Sequence, residues 1–208
     1  MLSADFSKLS QEIEAVEEAG ADCLHLDVMD GVFVPNLTFG PMIVKAIAKL
    51  AKVPLVTHLM IERPGELIER FVDAGSGMIS FHWEAMREGH RELIERIQKF
   101  GCGAGLAINP DTPLSEVSHL LDRLDLLLVM TVVPGFRGQR FKDEVTSKIH
   151  EASKTKHDRK YRYAIEVDGG ITPGNAASVR EAGGQILVAG TAVFGSGDYA
   201  EAISAIRG

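Results

Sequence analysis

The sequence has no basic excess, no cysteine framework and no long apolar run. Its formal net charge is −7, so it has no surplus of Lys and Arg to displace counterions from a phosphate backbone. That argues against a nucleic-acid partner. A small anionic substrate needs only a local positive site, and the acidic total leaves that open. There are two cysteines, Cys23 and Cys102, and they form no CxxC or other metal-type pair. This usage suits a reducing compartment better than a disulfide framework. No apolar run approaches the roughly 18 residues of a membrane span, so no membrane partner is expected. The opening MLSADFSKL has neither the basic stretch nor the apolar core of a signal peptide. These absences lead to the expectation of a cytoplasmic protein. Its 208 residues, 45% of them hydrophobic, suffice for one domain over 1–208.

What is present is a repeated alternation. Strand-like runs fall at Cys23–Val28, Leu55–Met60, Met78–His82, Gly105–Ile108, Leu126–Thr131, Tyr163–Asp168 and Ile186–Gly190. Between them, apolar residues recur at spacings of three and four, as in Leu9, Ile13 and Val16 or Leu93, Ile94 and Ile97. The same holds for Phe141, Val145 and Ile149 and for Leu114, Val117 and Leu121. Ala19-Gly20, Ala74-Gly75 and Ala182-Gly183 read as helix ends with glycine in the left-handed cap. Pro41, Pro64, Pro113 and Pro173 read as helix openers.

Alternating strands and helices with short connections predict a parallel sheet. No GxGxxG follows the first clear strand, and polar residues recur at the C-terminal ends of many strands. That pattern fits a (β/α)₈ TIM barrel, whose active site gathers at one end of all its strands. Only Met1-Leu2-Ser3 precedes the first helical pattern, so strand 1 is expected to be short or truncated.

In HLDVMDG (25–31), His25 and Asp27 are two apart and project from one face of a strand. His58 and Asp168 end two further strands. Two histidines and two carboxylates at a barrel mouth can ligate a divalent transition metal, Zn²⁺ first among them. A lone strand-end histidine is more often a hydrogen-bonded core residue, and a lone aspartate is often a helix cap. For all four together, burial without a shared partner would cost several kcal/mol, roughly the whole stability margin. Asp30, before Gly31, reads as ordinary turn chemistry. Met29, Met60 and Met130 read as adaptable apolar wall.

Glycine-rich loops follow three strands: Gly135-Phe136-Arg137-Gly138, Gly169-Gly170, and Gly190 with Thr191. Their backbone amides are suited to cradling a phosphate. Two aspartates from separated strands, a metal and a phosphate cradle describe proton removal and redelivery on opposite faces of a carbon. A phosphorylated ketose, epimerised beside its carbonyl, is the substrate this calls for. An unassisted aspartate, with a pKa of about 3.9, is a weak base toward carbon, and a metal that polarises the carbonyl answers that weakness.

LSADF (2–6), HLDVMDGVFVPN (25–36), HLM (58–60), PGFRGQ (134–139), EVDGGI (166–171) and VAGTAVFG (188–195) together resemble the ribulose-phosphate 3-epimerase family. The resemblance implies a metal-dependent barrel enzyme interconverting D-ribulose 5-phosphate and D-xylulose 5-phosphate in the pentose phosphate pathway. It implies Asp27 and Asp168 as the proton acceptor and donor, exchanging roles in reverse. His25, Asp27, His58 and Asp168 would ligate one divalent metal per chain, with Zn²⁺, Mn²⁺, Fe²⁺ or Co²⁺ compatible. Ser3, His58, Gly135, Phe136, Arg137, Gly138, Asp168, Gly169, Gly170, Gly190 and Thr191 would contact the substrate. Homo-oligomers are also implied. Val133, Arg137 and Thr191 depart from the usual pattern, and epimerisation of D-allulose 6-phosphate is the neighbouring activity. A decarboxylase or aldol-type synthase would call for a lysine at a strand end, and none falls at the ends read here. A non-catalytic sugar-phosphate binder would not need both aspartates and both histidines.

Overall fold

A computed structural model describes residues 1–136 and 138–208. Among the described residues, seven strands form one parallel sheet: β1 (Leu24–Met29), β2 (Leu55–Met60), β3 (Met78–His82), β4 (Gly103–Ile108), β5 (Leu126–Met130), β6 (Ala164–Asp168) and β7 (Ile186–Val188). Spatial order follows chain order from β1 to β7. Each connection carries helix, which is what parallel neighbours require. Strands buried on both faces read as near-continuous apolar runs, and β1, β2 and β5 are buried at every position.

The two-residue period sorts the side chains. Leu24, Leu26 and Val28 of β1, Leu55 and Leu59 of β2, Ile79 and Phe81 of β3, and Ile165 and Val167 of β6 join the main apolar layer with the helices. His25, Asp27, His58, His82, Glu166 and Asp168 occupy the alternate positions, on the inner face of the curl. Met29 and Met60 cluster with Val34, and Met130 with Ala107 and Leu128, outside that main layer.

The helix signals hold where both period and cap are present. Leu9–Glu18 buries Ile13 and Val16, and His90–Lys99 buries Leu93, Ile94 and Ile97. Gly20, Gly75 and Gly183 follow their helices with φ of +96°, +102° and +108°, in the region an L side chain avoids. Pro41 and Pro173 each open a helix.

The short or truncated first strand expected from the sequence is not seen as a strand. Residues 1–3 form no strand, and among the described residues no ladder joins β7 to β1. Met1 instead starts a tight turn, with the amide of Ala4 donating to its carbonyl at 3.0 Å. The Met1 nitrogen donates to the His25 carbonyl at 2.7 Å, beside the place where a ladder was expected. Three residues that turn back on themselves cannot supply the repeated extended pairing of a strand. The ends of the layered structure meet on the outside. In the last helix, Tyr199–Arg207, the Tyr199 hydroxyl donates to Glu12 at 3.1 Å and Arg207 pairs with Asp22 at 2.7 Å. Among the described residues, no helix is long and apolar enough to cross a membrane.

Candidate metal centre and active site

Strand register assembles the centre. Asp27 is the cross-strand partner of His58, and Asp168 that of Met130. His25 Nε2 lies 3.4 Å from Asp27 Oδ1 and 3.3 Å from His58 Nδ1. His58 Nδ1 lies 3.9 Å from both Asp27 Oδ1 and Asp168 Oδ2. One donor atom from each of the four falls within 4.8 Å of every other. Tetrahedral ligands about 2.0–2.1 Å from a metal stand roughly 3.3 Å apart, so the group needs only a small contraction to close on an ion. His25 and His58 turn nitrogens toward each other, an arrangement that a shared cation satisfies. Two imidazoles with two carboxylates form a donor set compatible with several first-row divalent ions.

Fully buried Glu166 holds the His25 ring from behind, with Oε1 3.1 Å from Nδ1. His25 thereby keeps Nε2 directed at the centre, since a carboxylate beside one ring nitrogen fixes the proton there. On the far side of His58, Nε2 contacts His82 Nε2 at 2.8 Å. Sequence reasoning assigned no role to Glu166 or His82. Both sit two residues from a neighbouring polar position on the inner face, and that period was the available signal.

The two aspartates are held in different states. Burial opposes ionisation of Asp27, but the charge and hydrogen bonding of His25, aided by His58, hold its carboxyl well below the usual range. Burial pushes Asp168 up to about 7, with His25 countering and Asp27 and Glu166 reinforcing. Burial also disfavours the imidazolium of His25, yet Glu166 and Asp27 outweigh it and hold its pKa well above the ordinary value. For His58 burial prevails, with His25 adding to it, and the pKa falls.

Around this centre lies a cavity of about 1100 Å³ that includes the mouth and runs down between β7 and β1. It is lined by Ser3, Gly135, Phe136, Gly138, Gly169, Gly170, Gly190 and Thr191, together with the methionines Met29, Met60 and Met130. Ser3 Oγ and Thr191 Oγ1 stand 3.5 Å apart, and a Cβ on Gly190 would come within 2.9 Å of Ser3 Oγ. Gly169 has φ of +123°, and a Cβ there would meet Val132 at 2.6 Å, so the loop after β6 can pass only as glycine. Asn36 Nδ2 donates to the Gly135 carbonyl at 2.7 Å, joining the loop after β1 to the loop after β5. Gln139 Nε2 donates to the Val133 and Phe136 carbonyls at 2.6 and 3.0 Å. Phe136 is exposed. Arg137, an expected substrate contact, lies outside the described residues.

The family model for the ribulose-phosphate 3-epimerase family matches residues 1–194. The chain belongs to the ribulose-phosphate 3-epimerase family. It is 49% identical to the ribulose-phosphate 3-epimerase of Bacillus subtilis, over all of this chain and 96% of that one. The chloroplastic ribulose-5-phosphate-3-epimerase of Arabidopsis thaliana is 46% identical, over all of this chain and 74% of its own. Among solved structures, 3-hexulose-6-phosphate synthase superposes with a TM-score of 0.71 at 18% identity, covering 99% of this chain and 96% of that one. That likeness concerns the fold alone, and it places the curled sheet with TIM-barrel-like proteins.

Proposed function

We propose that this chain is a cytoplasmic single-domain epimerase interconverting D-ribulose 5-phosphate and D-xylulose 5-phosphate on a (β/α)₈ plan, with residues 1–3 at the place of the first strand. Family membership supports the activity, and the convergence of Asp27 and Asp168 from separate strands on one centre carries the mechanism. An epimerase that works by proton transfer needs one ionised carboxylate and one protonated carboxyl at the same time. Asp27 is held ionised, while Asp168 retains its proton toward neutral pH.

Asp27 takes the proton from C3, and Asp168 gives its own to the opposite face of that carbon. The step leaves Asp27 protonated and Asp168 ionised, which is the starting state for the reverse direction. His25, Asp27, His58 and Asp168 would hold one divalent transition metal, Zn²⁺ first, with Mn²⁺, Fe²⁺ or Co²⁺ compatible. When bound, the metal supplies Lewis-acid stabilisation of the charge developing beside the carbon acid. His58 also borders the substrate. Gly135, Phe136, Arg137 and Gly138, with Gly169, Gly170, Gly190, Thr191 and Ser3, receive the phosphate end, and the methionines wall the carbon chain from water.

Incubation of metal-loaded protein with D-ribulose 5-phosphate in D₂O tests the reading. Xylulose 5-phosphate should appear with deuterium at C3, and Asp27→Asn and Asp168→Asn should each lower kcat about 10²–10⁴-fold. Epimerisation without solvent deuterium, or a wild-type rate in either variant, sinks the two-aspartate scheme. The same assay with D-allulose 6-phosphate separates the neighbouring activity.

A further inference from the structure

Beyond the ligand group, a buried polar chain leads away from His58. His82, fully buried at the end of β3, stacks on His58 with ring centroids 4.9 Å apart and contacts its Nε2 at 2.8 Å. On the other edge of the His82 ring, Nδ1 lies 3.2 Å from Glu84 Oε2. The second Glu84 oxygen, Oε1, accepts from the Asn109 amide at 2.9 Å and from the Thr112 hydroxyl. The loop holding those donors is itself anchored, since Lys148 donates to the Asn109 and Pro110 carbonyls at 2.8 and 2.7 Å.

The chain has a direction. Ionised carboxylate oxygens only accept, so the His82 proton lies on Nδ1, toward Glu84. A neutral imidazole carries one N–H, so His82 Nε2 is then an acceptor. Its neighbour at 2.8 Å is His58 Nε2, which therefore donates. His58 has thus placed its proton on the side away from the centre. Its Nδ1 keeps a free lone pair, facing His25 Nε2 at 3.3 Å and both aspartates at 3.9 Å.

We propose that Glu84 and His82 are positioning residues that fix the tautomer and ring plane of His58, so that Nδ1 is presented as a metal donor. The inference rests on the reading of His25, Asp27, His58 and Asp168 as a metal centre. It mirrors on β2 and β3 what Glu166 does for His25, because an imidazole whose outer nitrogen is held by an acceptor has its inner nitrogen fixed as ligand. Ser80, between Phe81 and Ile79 on β3, is the register partner of His58 and is too short to reach into this role. The ring two residues further on takes it instead.

Glu84→Gln tests the direction. The carboxamide keeps the shape and still accepts from Asn109 and Thr112, but its NH₂ group faces His82 Nδ1. That nitrogen must become an acceptor, so His82 donates from Nε2 and His58 is left protonated on Nδ1. Imidazole ¹⁵N NMR of the metal-free wild type should show His58 as the Nε2–H tautomer and His82 as Nδ1–H, with both reversed in the variant. Zn²⁺ and Co²⁺ affinity, read by chelator competition, should fall 10- to 100-fold with thermal unfolding of the metal-free protein unchanged. Wild-type His58 found as Nδ1–H, or a variant that binds Co²⁺ as tightly as wild type, overturns the proposal. The wild-type tautomer measurement needs no substitution and decides the matter even where the variant does not fold. Wild-type protein that binds neither metal refutes the metal-centre reading separately, while the NMR still judges the relay.

Discussion

At the turn leaving β1, Asp30 gathers three backbone amides. Oδ1 accepts from Val32 and Phe33 at 2.8 and 2.9 Å, and Oδ2 accepts from Glu62 at 2.8 Å. Burial opposes its ionisation, but these amides together outweigh it and hold its pKa below the usual value. Asp30→Ala should therefore cost about 1–2 kcal/mol at neutral pH, measured by urea unfolding, because three amides lose a charged acceptor and are only partly rehydrated. A group with a depressed folded pKa stabilises above its unfolded value and stops doing so as pH falls through the folded one. The gap between wild type and variant should thus be full above about pH 4 and close at lower pH. A gap that persisted unchanged in acid would contradict this role. The sequence alone marks Asp30 as turn chemistry, which accounts for the contacts to Val32 and Phe33. The tie to Glu62 depends on β1 lying beside β2, and no local pattern carries that information. His25 and Asp27 were legible for the opposite reason: a two-residue period in one short strand suffices to put them on one face. His82 and Glu84 repeat that period, but their meaning depends on the ring that lies across the sheet.

Among the elements, β2 and β3 coincide with their sequence-read bounds, each a run buried at all or nearly all of its positions. The apolar spacing at Leu114, Val117 and Leu121 misleads more. It resolves into a four-residue helix, Leu114–Val117, and a separate 3₁₀ turn, Leu121–Arg123. Spacings of three suit a 3₁₀ turn as well as a helix. The run Ile186–Gly190 shortens to β7, Ile186–Val188, whose three residues are all half-buried. With one partner strand and little cover, β7 is the sheet's weakest member. In native-state hydrogen exchange, the amides of Ile186–Val188 should lose protection well before those of Leu126–Met130. Equal protection factors would mean that β7 opens only with the whole sheet.

Over the whole molecule, the four proposed ligands come from β1, β2 and β6, so a bound ion would tie one end of the sheet to strands near the other. A ligand that binds only the folded chain stabilises it by about 4 kcal/mol at a thousandfold excess over Kd, which in a chain of this size raises Tm by roughly 10 °C. Chelation should remove that increment, read by differential scanning calorimetry, and should speed exchange in β7 more than in β5. No change in Tm on metal loading would count against the proposed cross-link.

The contacts of the last helix with the first have a further consequence for the order of assembly. Every strand beside another in this sheet is also its neighbour in the chain, so each unit can add to the one before it as synthesis proceeds. The contacts of Tyr199 with Glu12, of Arg207 with Asp22 and Gly20, and of Ser3 with Thr191 require both ends of the sequence to be present. The Arg207–Asp22 pair is exposed, and the Tyr199–Glu12 bond is half-buried. The two edges of the curl are therefore fastened late, like a belt buckled over a folded coat, after the strands beneath have paired.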